Sequence, residues 1–167
     1  VILPTEHYAD QRRVAFRFAV SIPSAETTYR LDEFENCAID IAVPYVERRI
    51  DFDAWILLER AATNQPHTLP LDLFSDPRFL AHSALTRPDD RLRQAAQEIQ
   101  REGKQGQALA EHIMHWVYTH FTYQHEVTGI HTTAAQALAL GKGVCQDYAH
   151  IMLALCRLCG LSARYVS

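Results

Sequence analysis

Nowhere does this chain of 167 residues gather lysine and arginine into a block. A basic block is what tracks a phosphate backbone, so nucleic acid is not an expected partner. Acidic and basic residues are mixed along the whole length, with a formal net charge of -4. Long apolar runs are missing too. None approaches the roughly 18 residues that would span a bilayer, so no membrane association is expected. The opening residues VILPTEHYAD have neither the basic start nor the apolar centre of a signal peptide. They begin with Val rather than Met, so the natural N-terminus is not in view. Cysteine is scarce: Cys37, Cys145, Cys156 and Cys159 are too few and too clustered for a disulfide framework, which favours a reducing, cytoplasmic setting. Repeats and low-complexity tracts are also absent.

Apolar residues make up 48% of the chain, enough for one core of ordinary size or two small ones. They are arranged with two different periods. Val14, Phe16, Phe18, Val20 and Ile22 alternate with smaller or charged residues, as do Ile50, Phe52, Ala54, Ile56 and Leu58. Both are the pattern of a half-buried strand. Ile39, Ile41 and Val43 make a shorter third run that stops at Pro44. These strands define a β-rich N-terminal domain over residues 1–62. A stretch with Pro66, Pro70, Pro77 and Pro88 follows, expected to be a surface connector over 63–88.

From residue 89 the period becomes helical. Asp89 or Asp90 can cap a helix carrying Leu92, Ala95, Ala96 and Ile99 on one side. Gly103 and Gly106 break it, and Leu109, Ile113, Trp116, Val117 and His120 space out a second helix ending near Phe121. Thr132 or Thr133 can cap a short helix that Gly141 ends. A last helix runs from near Val144 to Cys159, and SARYVS then begins a strand.

The segment GKGVCQDYAH, residues 141–150, carries the chemistry. Cys145 falls in the first turn of the last helix, where unpaired N–H groups and the helix dipole favour a thiolate. Gly141 and Gly143 leave room for a substrate backbone beside the sulfur. The N–H groups of the same turn point where an oxyanion develops in acyl transfer. That is the setting of an activated nucleophile; the plainer alternative is a buried structural cysteine. Asp147 caps or complements the helix N-terminus, and as a direct partner it would oppose the thiolate, so it is not cast as a base. Cys156 and Cys159 spell C-x-x-C but sit in the last turn, where the dipole disfavours a thiolate, and are expected to pack. His112, His115, His120, His125 and His131 do not converge at a metal-ligand spacing, so neither a metal nor a cofactor is expected. GKG lacks the Ser or Thr that would follow the lysine of a phosphate loop.

GKGVCQDYAHIMLALCRLCGLSARYVS strongly resembles the nucleophile helix of the bacterial transglutaminase-like superfamily, which takes in transglutaminases and cysteine proteases. WVYTHFTYQHEVTGIHTTAAQALALGKG is similar to that family's lead-in. The resemblance covers residues from about 72 to 167 well and is weaker over the N-terminal part, which is similar to the small domain that often precedes the core. It implies an α+β, papain-like core over 89–167, with Cys145 as nucleophile and Gly141, Gly143, Gln146, Asp147 and Tyr148 shaping the site. It implies attack on a carboxamide of a peptide or protein, loss of ammonia or an amine, and a thioester resolved by water or a second amine. In the family, the catalytic His and Asp follow the strand that ARYVS begins. The resemblance thus implies a chain cut before both, inactive by itself, with the apolar stripe Tyr148, Met152, Leu155 and Cys156 partly uncovered and self-association expected. The alternative is a non-catalytic relative that keeps the fold as an interaction or structural module.

Overall fold

The computed structural model describes residues 2–8, 10–34, 36–61 and 71–166. The chain divides into two compact units, residues 1–68 and 69–167.

The first unit holds two antiparallel three-stranded sheets. In one, β5 (Cys37–Ala42) lies between β1 (Ile2–Leu3) and β4 (Glu26–Leu31); in the other, β3 (Gln11–Val20) lies between β2 (His7–Tyr8) and β6 (Phe52–Arg60). The β3–β6 register shifts between Arg13 and Ala15. That bulge adds one residue to β3, and an added residue reverses which face later side chains take. Val14 is therefore exposed while Phe16, Phe18 and Val20 are half-buried, although all four share one phase in the sequence. Salt bridges Arg12–Glu59 and Arg17–Asp53 cross between β3 and β6, and Arg30–Asp40 crosses between β4 and β5. Phe16 meets Tyr29 edge-to-face at 6.4 Å, bringing β3 to β4.

In the second unit four helices surround one core. Helix α1 (Asp90–Gln100) starts where the Asp89 carboxylate accepts the Leu92 N–H at 2.9 Å, and buries Leu92, Ala95, Ala96 and Ile99. Helix α2 (Gly106–His120) buries Leu109, Ile113 and Val117. Helix α3 (Ala134–Leu140) opens with a reciprocal Thr133–Gln136 capping box and closes at Gly141, whose φ of 67° suits a residue without a Cβ. Helix α4 (Cys145–Leu158) packs on the other three through Ile151, Ala154, Leu155 and Cys156, all buried. At about 1.5–3 kcal/mol per buried large apolar side chain, this face is what fixes α4 in place.

Two expectations change here. Pro66 and Pro70 lie outside the described residues, but 71–88 are not a mere surface connector. They form three single turns of 3-10 helix that bury Phe79 and Thr86 within the second unit. Their anchor is Arg157 on α4, which donates to the Phe79 carbonyl at 3.2 Å, Thr86 Oγ1 at 3.0 Å and the Ala163 carbonyl at 2.9 Å. The expected strand at SARYVS is not formed over 161–166. A strand needs a ladder, and this segment instead bonds Leu161 N–H to the Cys156 carbonyl at 2.8 Å and Ala163 N–H to the Phe79 carbonyl at 3.0 Å, neither of them in a strand. Along the stripe on α4, Tyr148 and Met152 are half-buried and Leu155 and Cys156 are inside.

Candidate active site

Two short strands place the turn that precedes α4. β7 (Thr122–Tyr123) runs parallel to β8 (Lys142–Gly143), with the Thr122 N–H donating to the Gly141 carbonyl at 2.9 Å and the Gln124 N–H to the Gly143 carbonyl at 2.8 Å. The end of α2 and the turn after α3 are thereby clamped side by side. Val144 is the N-cap of α4 and Cys145 its first helical residue. The Val144 carbonyl accepts the N–H groups of Asp147 and Tyr148, at 2.9 and 3.2 Å. The N–H groups of Cys145 and Gln146 have no acceptor among the described residues. Cys145 is exposed. An exposed thiol beside two unpaired helix N–H groups is the arrangement that can attack a carbonyl and hold the resulting oxyanion.

Asp147 lies under this turn, only 1% exposed. Its Oδ2 accepts the Val144 N–H at 2.8 Å and the Thr128 hydroxyl at 2.6 Å. Oδ1 is buried without a hydrogen-bond partner. A Cβ on Gly143 would stand 2.3 Å from Oδ2, so the missing side chain is what lets the carboxylate in. Gly141 and Gly143 thus have work in the backbone itself, one as the left-handed cap of α3 and the other as the seat of Asp147.

The other sequence candidates surround the same turn. Tyr148 is half-buried, its ring edge-to-face on Phe121 at 4.7 Å and its hydroxyl donating to the Phe121 carbonyl at 2.7 Å. Burial pushes its phenol up, and the nearby Tyr118 adds to that, so Tyr148 is a fixed donor, not a proton shuttle. Gln146 Nε2 reaches the Ile130 carbonyl at 3.4 Å. Together with Thr128, this pins the segment between β7 and α3 to the start of α4. Thr128 has no local signal in the sequence. The clue available was Asp147 itself, since a carboxylate in a first helical turn next to a glycine needs a donor from elsewhere.

His150 faces the other way. It is buried on the Asp147 side of α4, its ring 5.8 Å from that of Tyr165, with Nδ1 unpartnered. Burial lowers its pKa, against the opposing pull of the Thr132 backbone and the Asp147 charge. His120 stacks on Trp116 at 4.2 Å, and His125 stands edge-on to Tyr123 at 5.0 Å. No group of three or more His, Cys, Asp and Glu is placed to hold a metal among the described residues. Cys156 is buried, and desolvation, with a smaller push from Cys159, raises its pKa to about 11. Burial raises Cys159 as well. Of the four sulfurs, Cys145 is exposed, Cys37 and Cys159 are half-buried and Cys156 is buried.

The chain is similar to known proteins both in part of its sequence and in its fold. Residues 93–167 match the core of the transglutaminase-like superfamily. An uncharacterised protein of Mycobacterium leprae is 40% identical over 52 residues, 31% of this chain and 19% of that protein. An uncharacterised protein of Mycobacterium tuberculosis is 45% identical over 51 residues, 30% of this chain and 16% of that protein. The crystal structure of a proposed cysteine protease from Cytophaga hutchinsonii superimposes with a TM-score of 0.67 at 20% identity, covering 95% of this chain and 55% of that one. The chain therefore spans about half of that structure, and the matched segment under a fifth of the mycobacterial proteins. The fold is the α+β, papain-like one expected. Among the described residues no helix is long and apolar enough to cross a membrane.

Proposed function

Since residues 93–167 match the core of the transglutaminase-like superfamily, we propose that this chain carries the nucleophile half of a thiol-dependent acyl-transfer enzyme acting on carboxamides of peptides or proteins. The observation that carries this reading is the exposed Cys145 at the first position of α4, beside the unpaired N–H groups of Cys145 and Gln146. In the proposed reaction the thiolate attacks the amide carbonyl, and the oxyanion is held by those two N–H groups. The amine or ammonia leaves with a proton, and the thioester passes its acyl group to water or to a second amine. By the family resemblance, the proton is handled by a His oriented by an Asp, both following the strand after the nucleophile helix. Gly141, Gly143, Gln146, Asp147 and Tyr148 act as the frame that holds the thiol.

The test is the labelling rate of each cysteine with iodoacetamide at neutral pH, followed by mass spectrometry. Cys145 is expected to react fastest, ahead of Cys37, with Cys156 and Cys159 far behind. Equal rates for Cys145 and Cys37 would remove the nucleophile assignment. In the full-length protein, Cys145→Ser is expected to abolish amidase or transamidase turnover while leaving the fold intact.

A further inference from the structure

The buried carboxylate below the nucleophile turn takes no chemical step in the reaction above, and its surroundings show what it does in the frame. Asp147 is 1% exposed, yet its only hydrogen-bond donors among the described residues are the Val144 N–H at 2.8 Å and the Thr128 hydroxyl at 2.6 Å, both to Oδ2. Burying a carboxylate is expensive, and a hydrogen bond from a neutral hydroxyl recovers only part of that. A plain N-cap needs no such burial, since Ser, Thr or Asp at the surface caps equally well. Here three separate features converge on one oxygen: the residue before Cys145, a hydroxyl 19 residues away in sequence, and a glycine whose Cβ would stand at 2.3 Å. The other oxygen is buried and unpartnered, so the charge is not dispersed.

We propose that Asp147 and Thr128 are positioning residues for Cys145, an inference that rests on Cys145 being the nucleophile. The carboxylate ties Val144 down from below, so that the chain enters α4 with the Cys145 side chain outward and the N–H groups of Cys145 and Gln146 free. Thr128 completes the arrangement. Its hydroxyl donates to the carboxylate oxygen nearest the turn and moderates the negative field that Asp147 would otherwise impose on a thiolate two residues away. The pair thus supplies rigidity while limiting the electrostatic penalty that a carboxylate brings to this place. Gly143 is required because Asp147 reaches Val144 across its bare α-carbon.

The roles separate by charge. The 167-residue chain is labelled at Cys145 with neutral iodoacetamide and with anionic iodoacetate, and the ratio of the two rates reads the local field. In Thr128→Val the carboxylate loses its donor, and the iodoacetate-to-iodoacetamide ratio is expected to fall by about twofold or more; in Asp147→Asn, where the charge is gone and an amide oxygen still accepts the Val144 N–H, the ratio should rise by about 3- to 10-fold. Thr128→Ser keeps the hydroxyl and should restore the starting ratio. Simple loss of packing would move both variants in one direction, together with the melting temperature. Ratios that follow the melting temperatures, or that stay unchanged in both variants, would overturn the positioning role and leave the nucleophile reading standing. A Cys145 that labels no faster than Cys37 in the unaltered chain would remove both.

Discussion

Gly143 and Tyr148 show how closely single residues are fitted around the thiol. At Gly143 any side chain would meet the Asp147 carboxylate, which is pinned by two hydrogen bonds and cannot swing away. Gly143→Ala is therefore expected to lower stability by about 1–3 kcal/mol, the usual effect of forcing an extra methyl into a packed site. A chemical denaturation curve would show it, and an unchanged midpoint would mean the turn is looser than described. Tyr148→Phe keeps the edge-to-face contact with Phe121 and removes one hydrogen bond, so a smaller loss of about 0.5–1.5 kcal/mol is expected.

At the scale of elements, α4 is both the bearer of the thiol and the centre of the core, and burial near its C-terminal end shifts a titration. Cys156 has a folded pKa of about 11 against an ordinary 9.0. The unfolded chain therefore gives up this proton at lower pH than the folded one. The contribution to stability is complete below about pH 9 and is lost between about pH 9 and 11, an effect of order 2 kcal/mol. Urea titrations at pH 8 and pH 10.5 on the natural chain and on Cys156→Ala should show the alkaline loss reduced in the variant; parallel losses would contradict it. The four helices were legible in the sequence because the 3.6-residue period, Asp89, Thr133 and Gly141 all act locally. The strand β4 was not, since ETTYRL is exposed throughout and owes its conformation to its ladder with β5. The strands β7 and β8 are two residues each, too short for any period, and exist because the ends of α2 and α3 are brought together. In the same way the position of Cys145 at the start of α4 was legible from the glycine and period around it, whereas the Thr128 contact is one that only the folded chain makes. The phase of Val14 was lost to a bulge.

For the molecule as a whole, the buried cluster around α4 is drawn entirely from residues between Leu92 and Cys156. A chain starting at Leu69 is accordingly expected to fold, with the helical circular dichroism and the Cys145 labelling rate of the longer one. Loss of the helical signal would show that the first unit is needed for the second. With Leu155 and Cys156 inside, the stripe on α4 supplies no argument for self-association through that helix. The pairing of β7 with β8 has a consequence in time as well as in space. Thr122 and Lys142 are far apart along the chain, so the turn before Cys145 can be complete only after α3 has docked and the intervening loop has closed. The amides of Thr122, Gln124 and Val144 are then members of one cooperative opening unit. In native-state hydrogen exchange they should share a single opening free energy below that of Ile151 and Leu155, which makes the turn bearing the thiol the first part of this core to come apart and the last to be put together.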